Sequence, residues 1–262
     1  MNPDELRRDL GQAEIDVPMP AGGWAPAWTR AWEIARAVPA GKWVLVGGLM
    51  VQAHLMRQGV GYQRPTADVD MVVEIHTVSI AGVVRDLRAL GYEPHESINE
   101  RAPFHRLTRP GASGGVEVVD VMAPDLGKQP RFRGRSVLEV PGGRSALADS
   151  ELLRAQTEGG VVEFRVPRLP AAVALKGAAY GNDSRDRDRH LEDGVALLSC
   201  VEDVDAFAAA LSKSMRKNFN KLVLGLGTNR SPWRNVPPQV RDAADAVLTA
   251  IRSDWRGPTS AH

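Results

Sequence analysis

Residues 43–49 read WVLVGGL, a short apolar run that leads into two glycines and then into a helical pattern over residues 49–56. An apolar run of this length bounded by glycines predicts a buried strand. Glycine allows the backbone to turn sharply and leaves room for another group beside the main chain. Unpaired N–H groups at the start of the following helix attract anions. Gly47 and Gly48 are therefore candidate phosphate ligands, and a plain tight turn is the alternative.

A second stretch, RPTADVDMVV at residues 64–73, carries two aspartates on a predicted strand. Asp68 and Asp70 are two positions apart, so both carboxylates point to one face while Val69, Met71 and Val73 point to the other face and into the core. Two adjacent carboxylates repel each other by on the order of 1 kcal/mol, and a bound cation relieves that repulsion. Hard oxygen ligands suit Mg²⁺. The alternative is that Asp68 caps a turn and Asp70 is solvated.

The run VEVVDVM at residues 116–122 predicts another strand, and it supplies a third carboxylate. Asp120 lies inside this apolar strand, where an unpaired charge would be costly. Phosphoryl chemistry with two metal ions needs such an additional ligand. Glu117 is the rival, but its side chain faces the opposite way on a strand. A strand-end aspartate with ordinary hydrogen bonds is the alternative for Asp120. Arg106, on the predicted strand just before, is expected to be a packed edge-strand residue, with a phosphate contact as its alternative.

The order strand, Gly-Gly, helix, Arg64-x-Thr66-x-Asp68-x-Asp70 and a later Val-Asp-Val strand resembles the nucleotidyltransferase superfamily of DNA polymerase beta. Within it, the chain most resembles the AbiEii-type nucleotidyltransferases, the toxins of bacterial type IV toxin–antitoxin pairs, which include the mycobacterial MenT toxins. The likeness covers roughly residues 40–200. The segment between the glycines and the aspartates is longer than in the compact superfamily pattern.

The resemblance implies a nucleoside triphosphate (NTP) as substrate and two Mg²⁺ ions as cofactors. The implied metal ligands are Asp68, Asp70 and Asp120, of which Asp120 also helps to activate the acceptor hydroxyl. The implied nucleotide-binding residues are Gly47, Gly48, Arg64, Thr66, Asp188 and Asp193.

The family pattern also has a lysine on a later helix, followed by a basic residue and an aspartate. Lys176 matches that lysine, and the resemblance implies that it acts in catalysis by contacting the triphosphate. Asp188 or Asp193 would orient it, and the pattern leaves both open because their spacing departs from that of the family. Without the resemblance, a lone lysine at the end of an alanine-rich helix is expected at the surface.

The chain has 262 residues, 33 Lys and Arg against 32 Asp and Glu, and one cysteine. This cysteine, Cys200, follows an apolar run and is expected to be a buried structural thiol. Its net charge of +1 excludes a general affinity for nucleic acid, so any such affinity needs a local patch. The predicted class is α+β, a nucleotidyltransferase-type mixed sheet with flanking helices followed by a helical C-terminal domain. The predicted parts are N-terminal helices at 1–40, a nucleotidyltransferase core at 41–166 and the helical domain at 167–262. The first helix is predicted over residues 3–14, and two strands of the core are predicted near residues 136–140 and 145–148. With no secretory signal and no apolar run of membrane-spanning length, we expect a cytoplasmic protein.

The sequence predicts a Mg²⁺-dependent transferase that moves a nucleoside monophosphate from an NTP to an acceptor hydroxyl. From the resemblance we expect the acceptor to be the 3′ end of tRNA and the protein to act as a toxin. An antitoxin protein is then a possible partner. One predicted helix has a basic face formed by Lys213, Arg216, Lys217 and Lys221, and this face is a candidate RNA contact. The alternative is an ordinary solvated helix face. The alternatives are transfer to a protein or a small molecule such as an aminoglycoside, and a non-catalytic nucleotide-binding regulatory module.

Overall fold

The computed structural model describes residues 14–17, 19–20, 23–62, 64–99, 101–112, 114–127, 129–184 and 186–255. The chain divides into two compact units. The first comprises residues 1–53 and 64–168, and the second comprises residues 54–63 and 169–262. The predicted α+β class is confirmed, since a mixed sheet with helices is followed by a helical C-terminal part.

The first unit contains every strand of the described residues. In chain order its elements are β1 (Glu14–Val17), α1 (Pro26–Ala37), β2 (Trp43–Leu45), α2 (Gly47–Arg57, which continues into the second unit from His54), β3 (Val69–Val73), α3 (Ile80–Ala89), β4 (Glu93–Pro94), β5 (Arg106–Pro110), β6 (Val116–Pro124), β7 (Arg131–Phe132), β8 (Arg135–Ser136), β9 (Glu139–Val140), α4 (Gly143–Ala148), β10 (Ser150–Thr157) and β11 (Gly160–Pro167).

Within the described residues nine strands form one sheet, in the order β1-β10-β11-β2-β3-β6-β5-β4 with β9 beside β6. The centre of this sheet is mixed. Strand β2 runs antiparallel to β3, β3 runs parallel to β6, and β6 runs antiparallel to β5. Strands β7 and β8 form a separate antiparallel hairpin.

The two faces of the central strands differ in what covers them. On one face Trp43 stacks on Phe164, and Trp28 and Trp32 of α1 stack on the same ring. All four aromatic side chains are buried, which makes this face the core of the unit. Because side chains alternate along a strand, the aspartates of β3 and β6 lie on the other face.

The second unit is helical in its C-terminal part. Its elements there are α5 (Leu169–Asn182), α6 (Arg187–Leu198), α7 (Val204–Ala210), α8 (Lys213–Thr228), α9 (Ser231–Arg234) and α10 (Pro238–Trp255). Close helix packing depends on small residues: a Cβ at Gly177 of α5 would lie 2.1 Å from the carbonyl oxygen of Asn218 in α8. Cys200, expected to be a buried structural thiol, is buried, and burial raises its pKa to about 11.

Some local expectations differ from the structure. Residues 145–148 were expected to form a strand but belong to helix α4, because Gly142 has a left-handed φ of 87° and the carboxylate of Asp125 accepts hydrogen bonds from the N–H groups of Gly142 and Arg144. The strand follows instead at β10. Strand β1 lies in the segment 1–40 expected to contain helices, and the helix expected over residues 3–14 falls outside the described residues except for Glu14.

None of the helices in the described ranges combines the length and the apolar character that crossing a bilayer requires.

Candidate active site

Gly47 and Gly48 are the first two residues of α2, directly after strand β2. Gly47 has a φ of 68°, a left-handed conformation that favours glycine. A Cβ at Gly47 would lie 1.8 Å from Oδ2 of Asp70, and one at Gly48 would lie 2.7 Å from Oγ1 of Thr66. The two glycines are thus required by the close approach of two predicted site residues to the start of the helix.

The loop of residues 64–68 is fixed by two side chains from helices. Gln52 of α2 donates from Nε2 to the carbonyl oxygen of Arg64 at 2.7 Å, and its Oε1 accepts from Nε1 of Trp28 at 2.7 Å. Arg30 donates to the carbonyl oxygen of Ala67. These bonds hold the loop in place beside the first turn of α2.

Thr66 and Asp68 are the side chains that this loop presents. The Thr66 Oγ1 atom is buried and has no hydrogen-bond partner within the part of the chain that the structure describes. A buried hydroxyl without a partner is costly, so a ligand oxygen beside it would be stabilised. Asp68, expected on the strand, directly precedes β3, and its side chain is 39% exposed.

Three side chains lie in a row across the central strands because of the register. Asp70 of β3 is paired with Asp120 of β6, and Asp120 is paired with Arg106 of β5. On the other side of β3 the N–H of Val46 donates to the carbonyl oxygen of Asp70 at 2.9 Å. The row therefore runs from the glycines through Asp70 and Asp120 to Arg106.

Arg106 binds the carboxylates of this row. Its Nε and Nη2 donate to Oδ1 and Oδ2 of Asp120 at 2.8 and 2.7 Å, and its Nη2 lies 3.9 Å from Oδ2 of Asp68. The hydrogen bonds to Asp120 raise the pKa of Arg106 above its ordinary value, so the guanidinium stays charged. The sequence favoured a packed edge-strand residue with a phosphate contact as the other option. The strand is not at the edge, because β4 lies beyond it.

Glu117, the rival of Asp120, lies on the covered face of the sheet. Its Oε2 accepts from Nε of Arg109 at 2.7 Å, and Arg109 also binds Glu33 of α1. The hydroxyl of Tyr92 also donates to Oε2 of Glu117 at 3.5 Å, so the glutamate is satisfied within the packed interior. Of the two acidic residues of β6, only Asp120 shares a face with Asp70.

The described ranges contain no group of three or more His, Cys, Asp or Glu side chains arranged to hold a metal ion as they stand. The donor set nevertheless suits Mg²⁺, since Asp68, Asp70 and Asp120 offer hard carboxylate oxygens on one face. The charged guanidinium of Arg106 reaches Asp120 and Asp68 and stands in for a cation there. The site thus attracts positive charge at the predicted metal position.

The second unit holds the predicted lysine and the two aspartates of which one is expected to orient it. Nζ of Lys176 donates to Oδ2 of Asp193 at 2.7 Å, and both residues are buried. Burial contradicts the surface position that composition alone suggested for Lys176. Of the two aspartates left open, Asp193 contacts the lysine, whereas Asp188 accepts a hydrogen bond from Nδ2 of Asn229 at 2.7 Å.

The four basic residues predicted to contact RNA lie on α8 and differ in their surroundings. Arg216 donates to the carbonyl oxygens of Leu211 and Ala208, which end the preceding helix α7. A Cβ at Gly181 would meet the aliphatic part of Lys221 at 2.8 Å. Lys213 and Lys217 are exposed. Two of the four therefore have structural contacts, and two point to solvent.

No protein-family model matches the sequence, and no curated protein matches it. Among solved structures, the chain is similar to an antigenic nucleotidyltransferase-like protein from Paracoccidioides brasiliensis. The two share 13% sequence identity with a TM-score of 0.46, over 78% of this chain and 90% of that chain.

Proposed function

We propose that the chain is a nucleotidyltransferase that moves a nucleoside monophosphate from an NTP to an acceptor hydroxyl. The observation that carries the proposal is that Asp70 and Asp120 are neighbours on one face of the sheet, with Gly47 at the start of α2 directly against the Asp70 carboxylate. A phosphate cradle directly beside paired carboxylates is the arrangement that phosphoryl transfer needs, because positioning and electrostatics supply most of its catalysis.

The triphosphate is bound at the start of α2. The N–H groups of the first turn and the positive end of the helix attract phosphate oxygens. Thr66 adds a buried hydroxyl, and Arg64 at the beginning of the same loop adds a positive charge. Bound Mg²⁺ would be held by Asp68, Asp70 and Asp120, and it supplies charge that neutralises the phosphates and lowers the pKa of the acceptor hydroxyl.

In the transfer step the acceptor oxygen forms a bond to the α-phosphorus of the NTP. The bond from that phosphorus to the bridging oxygen breaks, and pyrophosphate leaves. The hydroxyl proton passes to the carboxylate of Asp120 and from there to water. Arg106 fixes the orientation of this carboxylate through two hydrogen bonds.

Lys176 keeps the role of a phosphate ligand in this proposal, with Asp193 as the residue that orients it. An ammonium group carries three N–H donors, and one of them binds Asp193. The proposed acceptor is the 3′ end of tRNA, supported by the exposed Lys213 and Lys217. The proposed role is the toxin of a toxin–antitoxin pair, supported by the motif resemblance, with an antitoxin protein as its partner.

The experiment is incubation of the purified protein with each α-³²P-labelled NTP, Mg²⁺ and total tRNA. We expect label in tRNA and release of pyrophosphate, both abolished by Asp70→Asn. Label in protein alone would overturn the tRNA acceptor, and no label in any acceptor would overturn the transfer itself. Expression in a bacterial host tests the toxin role: growth arrest by wild type but not by Asp70→Asn is expected, and unimpaired growth would exclude it.

A further inference from the structure

Two adjoining hollows open beside Arg106 in the first unit. One has a volume of about 210 Å³ and is lined by Arg106 itself. The other has a volume of about 400 Å³, within the range typical of ligand sites. They share His95, Ser97, Phe104 and Arg135 and lie between the loop after β4 and the β7–β8 hairpin. We call this region, marked by Phe104, Arg106, Phe132, Arg133 and Arg135, the arginine–phenylalanine pocket.

The charge of the pocket favours an anion. Arg106, Arg133 and Arg135 line it, and Glu96 is the one carboxylate among the lining residues that the structure describes. Because Arg106 is already paired with Asp120, the charge open to an anion is that of Arg133 and Arg135. Arg133 is exposed, and its guanidinium carbon lies 5.5 Å from the centroid of the Phe132 ring, so the charge and the ring lie side by side at the mouth of the pocket. Arginine presents several N–H donors in a planar fork that matches phosphate oxygens. A phosphate group is therefore the anion best suited to this lining.

The pocket also offers an aromatic platform. The rings of Phe104 and Phe132 lie 4.5 Å apart between centroids, and Phe132 is only half-buried. The neighbouring Ile98 is fully exposed at the same hollow. Nucleobases stack on exposed aromatic rings regardless of sequence, and arginines beside the ring hold the backbone phosphate. A ligand that has both a phosphate group and a stacking base is a nucleotide.

The walls of the pocket are fixed before a ligand arrives. Arg135 donates from Nε to the carbonyl oxygen of Ala102 at 3.0 Å and from Nη2 to that of Asn99 at 3.3 Å. The main chain of Phe104 bonds to Ser136 and Leu138 at 2.7 and 2.8 Å. Loop and hairpin are thus tied together, which lowers the entropic cost of binding.

The position of the pocket separates it from the triphosphate cradle. Arg106 lies two strands beyond Asp70, roughly 10 Å across the sheet at the usual strand spacing. The glycines lie on the opposite side of Asp70. The carboxylates are therefore flanked by two different binding regions, as a reaction between two nucleotide-bearing substrates requires.

We infer that the arginine–phenylalanine pocket binds the 3′-terminal nucleotide of a single-stranded RNA acceptor, with its base on Phe132 and its phosphate on Arg133. The inference rests on the proposed function and adds the location and chemistry of the acceptor site. The terminal hydroxyl then faces the carboxylates, because Arg106 belongs to both the pocket and the row.

The experiment measures RNA binding without NTP or metal, so that it is independent of catalysis. The ligands are tRNA with a free 3′ end, the same tRNA with that end paired to a complementary oligonucleotide, and adenosine monophosphate. The variants are Phe132→Leu, which removes the ring, and Arg133→Asn, which removes the charge and tolerates the φ of 49° at this position. Arg101→Gln, an exposed arginine of the neighbouring loop that does not line the pocket, is the matched control.

We expect each pocket variant to weaken binding of tRNA with a free end by about tenfold, as loss of one stacking or phosphate contact does, with the control within twofold of wild type. Pairing the 3′ end should weaken wild-type binding similarly. Equal affinities of wild type and both variants would overturn the pocket while leaving nucleotidyl transfer standing. Adenosine monophosphate binding as tightly as the RNA end would show that the pocket takes a free nucleotide, which also overturns the inference.

Discussion

Arg106–Asp120 in the first unit and Lys176–Asp193 in the second are both close pairs of opposite charge, each with a contact of 2.7 Å. The first is open on one side only, with the side chain of Arg106 38% exposed and that of Asp120 11% exposed. The second is closed, with side chains 6% and 3% exposed. In this open pair the exposed Arg106 can be replaced at Asp120 by another cation, whereas the closed pair cannot lose either member without leaving a buried charge. Exchange with ligands is thus expected at the first pair, and the larger contribution to stability is expected at the second.

Asp70→Asn tests the open region with the largest expected effect. Loss of this carboxylate should lower label transfer by about a thousandfold, which corresponds to about 4 kcal/mol, because the metal charge then lacks a ligand. Thermal unfolding should be unchanged, since the amide is isosteric. A variant with full activity would remove Asp70 from the site.

Lys176→Ala tests the closed pair. Removing one member of a buried pair should lower the free energy of unfolding by about 3–5 kcal/mol, as measured by urea denaturation. The double variant Lys176→Met with Asp193→Leu is the matched control, because it removes both charges and should be much less destabilising. If Lys176→Ala had the same free energy of unfolding as wild type, the contrast drawn between the two pairs would be wrong.

Gly47→Ala tests the contact between the helix start and the aspartate. The new Cβ would clash with the Asp70 carboxylate in a left-handed backbone, so we expect a loss of about 1–3 kcal/mol in unfolding free energy together with reduced NTP binding. Gly59→Ala is the matched control, because Gly59 has a φ of 63° and no atom within 4 Å of its Cβ position. Equal losses in both variants would mean that backbone strain alone is responsible.

Arg106→Gln sharpens the view that the open pair is exchangeable. In this variant no guanidinium competes with Mg²⁺ for the carboxylates of Asp120 and Asp68. The Mg²⁺ concentration at half-maximal NTP binding should therefore fall by about fivefold. The measurement is NTP binding titrated with Mg²⁺ in the absence of acceptor. An increase in the required Mg²⁺ would show that Arg106 supports the metal site.

His190 gives the smallest expected effect, in the surroundings of the closed pair. Burial, followed by the charge of Lys176, lowers the pKa of His190 below its ordinary value of about 6.5. The unfolded chain then binds the proton more readily, so stability is lost as pH falls from about 6.5 towards the lowered pKa. Urea denaturation at pH 7.5 and 5.5 should show a smaller pH dependence in His190→Gln than in wild type. Identical pH dependence would remove this histidine as the cause.

The sequence allowed the central strands and the two glycines between a strand and a helix to be predicted, because alternation and glycine signals are local. That Asp70 and Asp120 are neighbours on one face was not predicted, because it follows from the register between two strands. Arg106 was not predicted as the partner of Asp120, since that pairing follows from the register between strands separated along the chain. Helix α4 was missed for a similar reason, because its N-terminal hydrogen bonds come from the distant Asp125. The burial of Lys176 depends on helix packing, which composition does not encode.

The row across β3, β6 and β5 has a consequence for how this protein can diversify. Its charges are spaced by the main-chain hydrogen bonds of the sheet, at roughly 4.8 Å per strand, so a substitution can remove a charge but cannot shift the spacing gradually. The loop after β4 and the β7–β8 hairpin carry no such constraint. Relatives of this chain should therefore share the row and differ in the loop and the hairpin, so that a change of acceptor leaves the carboxylates where they are.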